Sequence, residues 1–198
     1  NAVNLAGHVE VEPHAIIAAT GIAGLFDEEV VRAAAARTAR PILFALSNPS
    51  ALTEGRPEDM LTWSQGRAII ATGSPFPPVP GLTGPIPIAQ ANNMLIFPGV
   101  GLGAWISGSR KVTDEMFAIA ARAVAGCVPK ERLAQGYILP TVSEIRRVSR
   151  AVALAVATEA VSAGLAPQLS PGERKRRLDL ELWYPQYMQF VRAESAAG

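Results

Sequence analysis

A long stretch without charge constrains this chain most. The residues between Arg67 and Arg110 include no Asp, Glu, Lys or Arg, although 18% of the whole chain is charged. Such a stretch predicts a segment that is buried or faces a ligand. Its strong hydrogen-bonding side chains are neutral: the amides of Gln90, Asn92 and Asn93, and a few hydroxyls. A carboxamide offers two donors and one acceptor with no charge to desolvate, which suits a site for a carboxylate or a nicotinamide.

The same stretch is too interrupted to span a membrane. Its longest apolar run extends only from Met94 to Ile106 and contains Pro98 and several glycines, whereas a membrane-spanning helix needs about 20 apolar residues. The formal net charge is +1, which gives no electrostatic reason to expect nucleic acid or an acidic membrane surface as a partner. We therefore predict neither a membrane nor a nucleic-acid partner.

Low charge and 49% hydrophobic residues predict a surface that other protein covers. That cover is either a partner chain, as in a homo-oligomer, or another part of the same polypeptide. The chain begins at Asn1 without a leader-like segment, and we expect it to lack the N-terminal portion of a longer subunit. One cysteine, Cys127, excludes an internal disulfide and favours a reducing, cytoplasmic compartment. His8 and His14 have no second ligand at metal spacing, so no zinc site is predicted.

Strand and helix patterns alternate through residues 14–72. Three apolar runs are typical of buried strands: HAIIAA, ILFAL and the run from Arg67 to Thr72. Between them, residues 27–40 and 57–65 carry helix-start signals, namely acidic first turns and, in the second, an initial proline. This alternation predicts parallel strands with right-handed crossovers. The expected fold class is α/β: the second half of a doubly wound, Rossmann-like sheet in residues 1–110, then a helical C-terminal region in residues 111–198.

Small polar residues with Gly or Pro follow all three predicted strands. They are Thr20-Gly21, Ser47-Asn48-Pro49 and Thr72-Gly73-Ser74-Pro75. Because open parallel sheets bind ligands outside the carboxyl ends of their strands, three such ends predict one edge of a binding site. Each end alone is also what a tight turn would use, so the turn alternative stays open for each residue.

The remaining segments predict connections and packing helices. Residues 75–87 contain six prolines and are expected to be extended without a helix. The next helix begins either at the two asparagines, with a kink at Pro98, or at Pro98 itself. Thr113 is expected to cap a helix, and a capping box at residues 141–144 to begin a long one that ends near Gly164. The basic and aromatic end of the chain predicts a docking tail rather than an RNA-binding segment.

Four spaced motifs resemble malic enzymes. They are ILFALSNPS, GRAIIATGSPF, PIAQANNMLIFPGVGLG and SRKVTDEMFAIAARAVA. From His14 to Phe190 the chain is similar to the carboxyl-terminal third of the larger bacterial and eukaryotic-like type. This resemblance implies an oxidoreductase that oxidatively decarboxylates (S)-malate to pyruvate and CO2, with NAD or NADP as hydride acceptor and Mn or Mg as divalent metal.

The resemblance also implies functional residues at matching positions. Asn48, Asn92 and Asn93 are expected to contact malate and the nicotinamide end of the cofactor. Together with the strand-end pattern, this predicts Thr20, Gly21, Ser47, Asn48 and Asn93 as cofactor-binding residues. The family's glycine-rich fingerprint, its Tyr and Lys acid/base pair and its metal-binding acids belong to the portion before Asn1. We therefore assign no catalytic or metal-binding residue here and expect this chain alone to be inactive. The alternative is a non-catalytic nucleotide-domain fragment that serves only as an assembly or interaction module.

Overall fold

A computed structural model describes residues 13–82, 84–184 and 187. The elements follow the chain as β1 (Ala15–Ala18), α1 (Glu28–Arg37), β2 (Ile42–Ala45), α2 (Pro57–Trp63), β3 (Ile69–Thr72), β4 (Ala89–Gln90), α3 (Phe97–Ser107), α4 (Asp114–Gly126), α5 (Lys130–Ala134), α6 (Ile145–Ser162) and α7 (Pro171–Glu181). Short 3-10 helices lie at Ser50–Leu52, Asn93–Leu95 and Val142–Glu144. The predicted α/β half-sheet followed by helices is confirmed.

The four strands form one parallel sheet in the order β1-β2-β3-β4. Ala18, Ala45 and Thr72 are aligned across the first three strands, so these strands end side by side. The segment after β3 does not form a helix, but it contains an antiparallel bridge between Val79 and Ile86 and then the short β4, which the sequence pattern did not predict.

One face of the sheet carries the core of the α/β part. Leu43 and Ile70 are buried there among residues of α1 and α2, such as Val31 and Met60. The α1 helix begins where expected because Asp27 accepts a hydrogen bond from Val30 N at 2.9 Å, and it ends at Arg37, short of the predicted residue 40. Each of these helices connects two neighbouring parallel strands of the sheet.

The opposite face of the sheet is left partly uncovered by the described residues. Ile17 lies in register with Phe44 and Ala71 on this face and is 64% exposed. Parallel sheets are normally covered on both faces. This face of β1 therefore offers apolar surface to further protein.

The helical part is organised around the crossing of α3 and α6. Gly99 and Gly103 on α3 lie directly against the side chains of Val152 and Val156 on α6, and the absence of a side chain on either glycine allows the two helices to approach closely. The other side of α3 presents Trp105, which is 71% exposed. Because α3 lies before residue 110 and packs on α6, the sheet core and the helical core divide ahead of α3. The boundary at residue 110 remains a prediction.

The predicted helix caps are present in this part. Thr113 accepts from Met116 N at 3.3 Å, and Thr141 and Glu144 form the capping box that precedes α6. The α5 and α7 helices were not predicted. Beyond α7, Arg146 donates to Trp183 O at 3.0 Å, while the predicted tail at residues 185–186 and 188–198 lies outside the described residues. In the part of the chain that the structure describes, no helix is both long and apolar enough to cross a membrane.

Candidate functional site

The carboxyl ends of the four strands meet along one edge, which we call the strand-end rim: residues 20–21, 47–48, 73–74 and 91–93. Gly21 N donates to Ser47 Oγ at 2.8 Å, which joins the ends of β1 and β2. Ser74 Oγ donates to Asn48 Oδ1 at 2.6 Å, which joins β2 to β3. Gln90 Nε2 donates to Gly73 O at 3.2 Å and brings β4 into the same edge. The strand-end residues identified from the sequence are thus brought together.

Asn48 has the geometry of an oriented donor. The residue is exposed, and its carboxamide oxygen is occupied by Ser74. Among the described residues, its Nδ2 donates no hydrogen bond, and its side chain does not bond the adjacent backbone as an asparagine in a simple turn does. The Nδ2 group lies beside Gly73 with its two N–H donors not used by the described residues while the oxygen is held, and such donors can bind a carboxylate or an amide carbonyl.

Close approach of two strand ends requires glycine at position 73. A Cβ atom there would lie 2.1 Å from Leu46 O and 2.8 Å from Asn48 Nδ2. Both distances are too short for carbon, so any side chain at 73 would displace the end of β2 together with the carboxamide of Asn48. Gly21, on the other side of the rim, has φ of +69°, a left-handed conformation that glycine adopts without cost.

A buried carboxylate that the sequence analysis did not identify lies beneath this rim. Glu54 is 0% exposed. Its Oε1 accepts from Thr20 N at 2.7 Å, Thr20 Oγ1 at 3.0 Å and Ser47 Oγ at 2.5 Å, and its Oε2 accepts from Ser47 N at 3.2 Å. The side chains of Thr20 and Ser47 are thereby occupied within the protein.

The environment of Glu54 favours its ionised form. Burial alone would raise the pKa of this carboxyl, but the hydrogen bonds from Ser47 and Thr20 outweigh it and leave the pKa below its ordinary value of 4.5. Donors that stabilise the charged form lower the pKa of an acid. Glu54 therefore contributes a fixed negative charge beneath the rim at neutral pH.

The two adjacent asparagines after β4 differ in their contacts. Asn92 caps the 3-10 helix because its Oδ1 accepts from Met94 N at 3.0 Å. Asn93 is the first residue of that helix and is exposed. Of the two starting points predicted for α3, neither is fully realised: the asparagines begin the short 3-10 helix, and α3 begins at Phe97, next to Pro98.

A cavity of about 880 Å³ lies at the opposite end of the sheet from the rim. It is lined by residues that precede or begin β3, such as Arg67 and Ile69, by the loop before β4, and by the segment after α5 that includes Tyr137. None of the predicted site residues lines it. Size alone therefore does not identify the site, and the strand-end rule points to the rim.

Metal ligands are a separate question. The described residues include no group of three or more His, Cys, Asp or Glu side chains that could hold a metal ion. Glu54 is already saturated with donors, which makes it a poor ligand. We derive no step of chemistry through a metal from these residues.

Comparison with known proteins identifies the family of this chain. Residues 1–161 match the family model described as malic enzyme, NAD binding domain. The chain is 42% identical over 181 residues to an NAD-dependent malic enzyme of Pectobacterium atrosepticum, covering 91% of this chain and 32% of that protein. It is 44% identical over 183 residues to NAD-dependent malic enzyme 2 of Vibrio vulnificus, covering 92% of this chain and 33% of that protein.

The fold of this chain is also similar to that of malic enzymes whose structures have been solved. The crystal structure of Entamoeba histolytica malic enzyme aligns with a TM-score of 0.72 at 25% identity, over 89% of this chain and 33% of that one. Malic enzyme from Pyrococcus horikoshii Ot3 aligns with a TM-score of 0.65 at 27% identity, over 84% and 34%. The chain thus spans about a third of the length of the relatives that it matches. On the family match and these identities, the chain belongs to the malic enzyme family, within its NAD-binding domain.

Proposed function

We propose that this chain is part of an enzyme that oxidatively decarboxylates malate to pyruvate and CO2 with NAD, and that its strand-end rim receives malate and the nicotinamide end of the cofactor. The names of the relatives favour NAD, and no observation favours NADP. The remainder of the subunit supplies the glycine-rich fingerprint, the acid/base pair and the ligands of a divalent Mn or Mg. The partly uncovered face of β1 supports the presence of that further protein.

The observation that carries this proposal is the orientation of Asn48. Its carboxamide lies at the carboxyl edge of a parallel sheet, where nucleotides bind in folds of this class, and its donors are not used by the described residues. Ser74 holds the carboxamide oxygen, so the donors need no reorganisation when a ligand arrives. A carboxylate of malate or the carbonyl of the nicotinamide amide can accept from them.

The rim residues contribute to the reaction by orienting malate and the nicotinamide. NAD, when bound, accepts the hydride from the carbon that carries the malate hydroxyl. The rim residues hold the two reactants so that this carbon and the nicotinamide ring face each other. A bimolecular step thereby becomes effectively unimolecular. Thr20, Gly21 and Ser47 contribute chiefly through backbone position, because the two hydroxyls already bond Glu54.

Asn48→Ala in the intact subunit tests the proposal. Loss of a hydrogen bond to a charged group is worth about 1.5 to 3 kcal/mol, which corresponds to a decrease in kcat/KM for malate of about tenfold to over a hundredfold. The melting temperature should fall only slightly, because the side chain is exposed and the hydrogen bond that the described residues lose is the one from Ser74. Unchanged kcat/KM, with a lowered melting temperature, would make Asn48 a turn residue and contradict the assignment.

The adjacent asparagines supply a matched pair for the same assay. Asn93→Ala should lower kcat/KM for malate, since its side chain is exposed at the rim. Asn92→Ala should also lower stability, by about 0.5 to 2 kcal/mol, because it removes a helix cap. If neither variant changes the kinetics, the substrate contacts proposed for Asn92 and Asn93 are wrong.

The interaction module remains the second candidate function. It is favoured by exposed apolar side chains on two elements, Ile17 on β1 and Phe97 and Trp105 on α3. The same surfaces fit a homo-oligomer, which we also propose, together with a cytoplasmic location on the strength of the single thiol. Malate-dependent reduction of NAD by the intact subunit would decide for the enzyme, and binding of a protein partner without turnover would decide for the module.

A further inference from the structure

Glu54 is a buried carboxylate for which the proposed contacts with malate and NAD provide no role. It lies beneath the rim, 0% exposed, and bonds residues that follow two different strands. Its hydrogen-bond partners Thr20 and Ser47 are neutral, and the structure shows no ion pair to it among the described residues. Burial of an unpaired charge is costly unless donors replace the lost water. The four hydrogen bonds that Glu54 accepts replace the water lost on burial.

The two carboxylate oxygens each face a group that can only donate. Oε1 is 2.7 Å from Thr20 N, and Oε2 is 3.2 Å from Ser47 N. A carboxamide at position 54 would turn its own NH2 group toward one of these backbone N–H groups in either orientation. A glutamine therefore has the right size but cannot satisfy both strand ends, which makes the carboxylate a specific requirement of this arrangement.

The hydroxyls of Thr20 and Ser47 connect Glu54 to the backbone of the rim. Ser47 Oγ donates to Glu54 and accepts from Gly21 N at 2.8 Å. Thr20 Oγ1 donates to Glu54 and accepts from Ile22 N at 3.1 Å. One carboxylate thus fixes the backbone after β1 and the residue that immediately precedes Asn48.

We propose that Glu54 is a positioning residue: its carboxylate holds the ends of β1 and β2 at the separation in which Asn48 and the Gly21 backbone receive malate and the nicotinamide. The inference rests on the proposed function. A misplacement of about 1 Å between reacting groups can slow a reaction about a hundredfold. A change in the spacing of the two strand ends should therefore affect the hydride transfer step itself.

The test is Glu54→Gln in the intact subunit, with Ser64→Ala as the control. Ser64 is also 0% exposed and accepts from the backbone at Ala68 N, but it lies at the other end of the sheet, ahead of β3. At a temperature far below melting, Glu54→Gln should lower kcat/KM for malate about 10- to 100-fold. It should also increase the primary deuterium isotope effect for malate labelled at the oxidised carbon. Ser64→Ala should lower the melting temperature and leave both kinetic quantities unchanged.

Two results separate the inference from the proposed function. Normal kinetics and a normal isotope effect in Glu54→Gln, with reduced stability only, would overturn the positioning role and leave the proposed function intact. Absence of malate oxidation by the unmodified subunit would instead overturn the proposed function.

Hydrogen exchange tests the connection without any turnover. In the intact subunit, Thr20→Val removes one hydroxyl that bonds Glu54 and should accelerate exchange of the Ser47 amide, on the neighbouring strand, about tenfold, with a smaller change at Ala68. This variant also serves if Glu54→Gln does not fold. An unchanged rate at Ser47 would overturn the inference, because it would show that loss of a bond between Glu54 and the end of β1 has no effect at the end of β2.

Discussion

Replacement of Gly99 by alanine should destabilise the protein, although alanine is the better helix former. Gly99 lies in the middle of the α3·α6 crossing. A Cβ atom there would be 2.5 Å from Val152 Cβ, 2.6 Å from Val152 Cγ1 and 3.0 Å from Ser149 O. Carbon atoms prefer about 3.5 Å or more, so the helices must separate by about 1 Å at this point. Rotation of Val152 cannot relieve the contact because its Cβ is itself involved.

Two effects of opposite sign determine how much Gly99→Ala changes the free energy of unfolding. Alanine is favoured over glycine by about 1 kcal/mol within a helix. Overpacking of a well-packed core costs about 1 to 3 kcal/mol, and Val152 is completely buried. The short Cβ contact places Gly99→Ala at the upper end of that range, so the net loss of unfolding free energy should be about 1 to 2 kcal/mol.

Gly101 on the same helix is the matched control. A Cβ atom there would meet nothing within 4 Å, and the residue is exposed. Gly101→Ala should therefore stabilise the protein by about 0.5 to 1 kcal/mol through helix propensity alone. Gly103→Ala should behave like Gly99→Ala, because its Cβ would lie 2.7 Å from both Ala153 O and Val156 Cβ.

Urea unfolding followed by circular dichroism measures all three variants. The two interface variants should show lower midpoints with an unchanged slope, and Gly101→Ala a higher midpoint. If Gly99→Ala were as stabilising as Gly101→Ala, the helices would not approach each other as closely as described, and the reasoning would be refuted.

Two further predictions concern helix starts. The hydrogen bond from the backbone N–H of Thr141, and secondly that from Arg147, lowers the pKa of Glu144 from 4.5 to about 2. This carboxylate therefore stabilises the fold above its unfolded pKa, and its contribution should be lost as pH falls from about 4.5 to about 2. Glu144→Gln should flatten the dependence of unfolding free energy on pH in that window, and an unaltered profile would contradict the assignment. Asp27→Ala should lower the free energy of unfolding by about 0.5 to 2 kcal/mol because it removes the α1 cap, whereas Asp27→Asn should retain most of the stability. Thermal unfolding measures both variants. Equal losses in the two variants would show that charge rather than capping matters.

The first three strands could be predicted because each is a short apolar run that ends at small polar residues. Their alignment follows from parallel pairing, so Thr20, Ser47 and Ser74 reach one edge without knowledge of any tertiary contact. The α/β fold class needed no more than this alternation. By contrast, β4 has only two residues and follows a proline-rich segment, so periodicity gave no signal for it. The α7 helix did have a signal, since Ser170 precedes Pro171 and accepts from Glu173 N, but the basic and aromatic end of the chain predicts only a docking tail.

Glu54 could not be identified because its burial arises from distant parts of the chain. A single acid among small residues in a loop is normally solvated. Here its partner Thr20 is 34 residues away, and the two meet because the loop before α2 lies against the segment after β1, where Phe26 N donates to Glu54 O at 2.7 Å. The choice between Asn92 and Asn93 as cap likewise depended on one bond, from Met94 N to Asn92 Oδ1, and two adjacent residues of the same type give no sequence signal to distinguish them.

The order of strands in the sheet has a consequence for synthesis of the protein. Each strand pairs with the one that left the ribosome just before it, so the sheet can grow by one strand at a time, with only a local loop to close at each step. No strand must wait for a distant partner, which limits the time that apolar edges are exposed to aggregation during translation. Within the described residues β1 pairs on one side only, and its other edge is where a sheet formed earlier in translation would be continued.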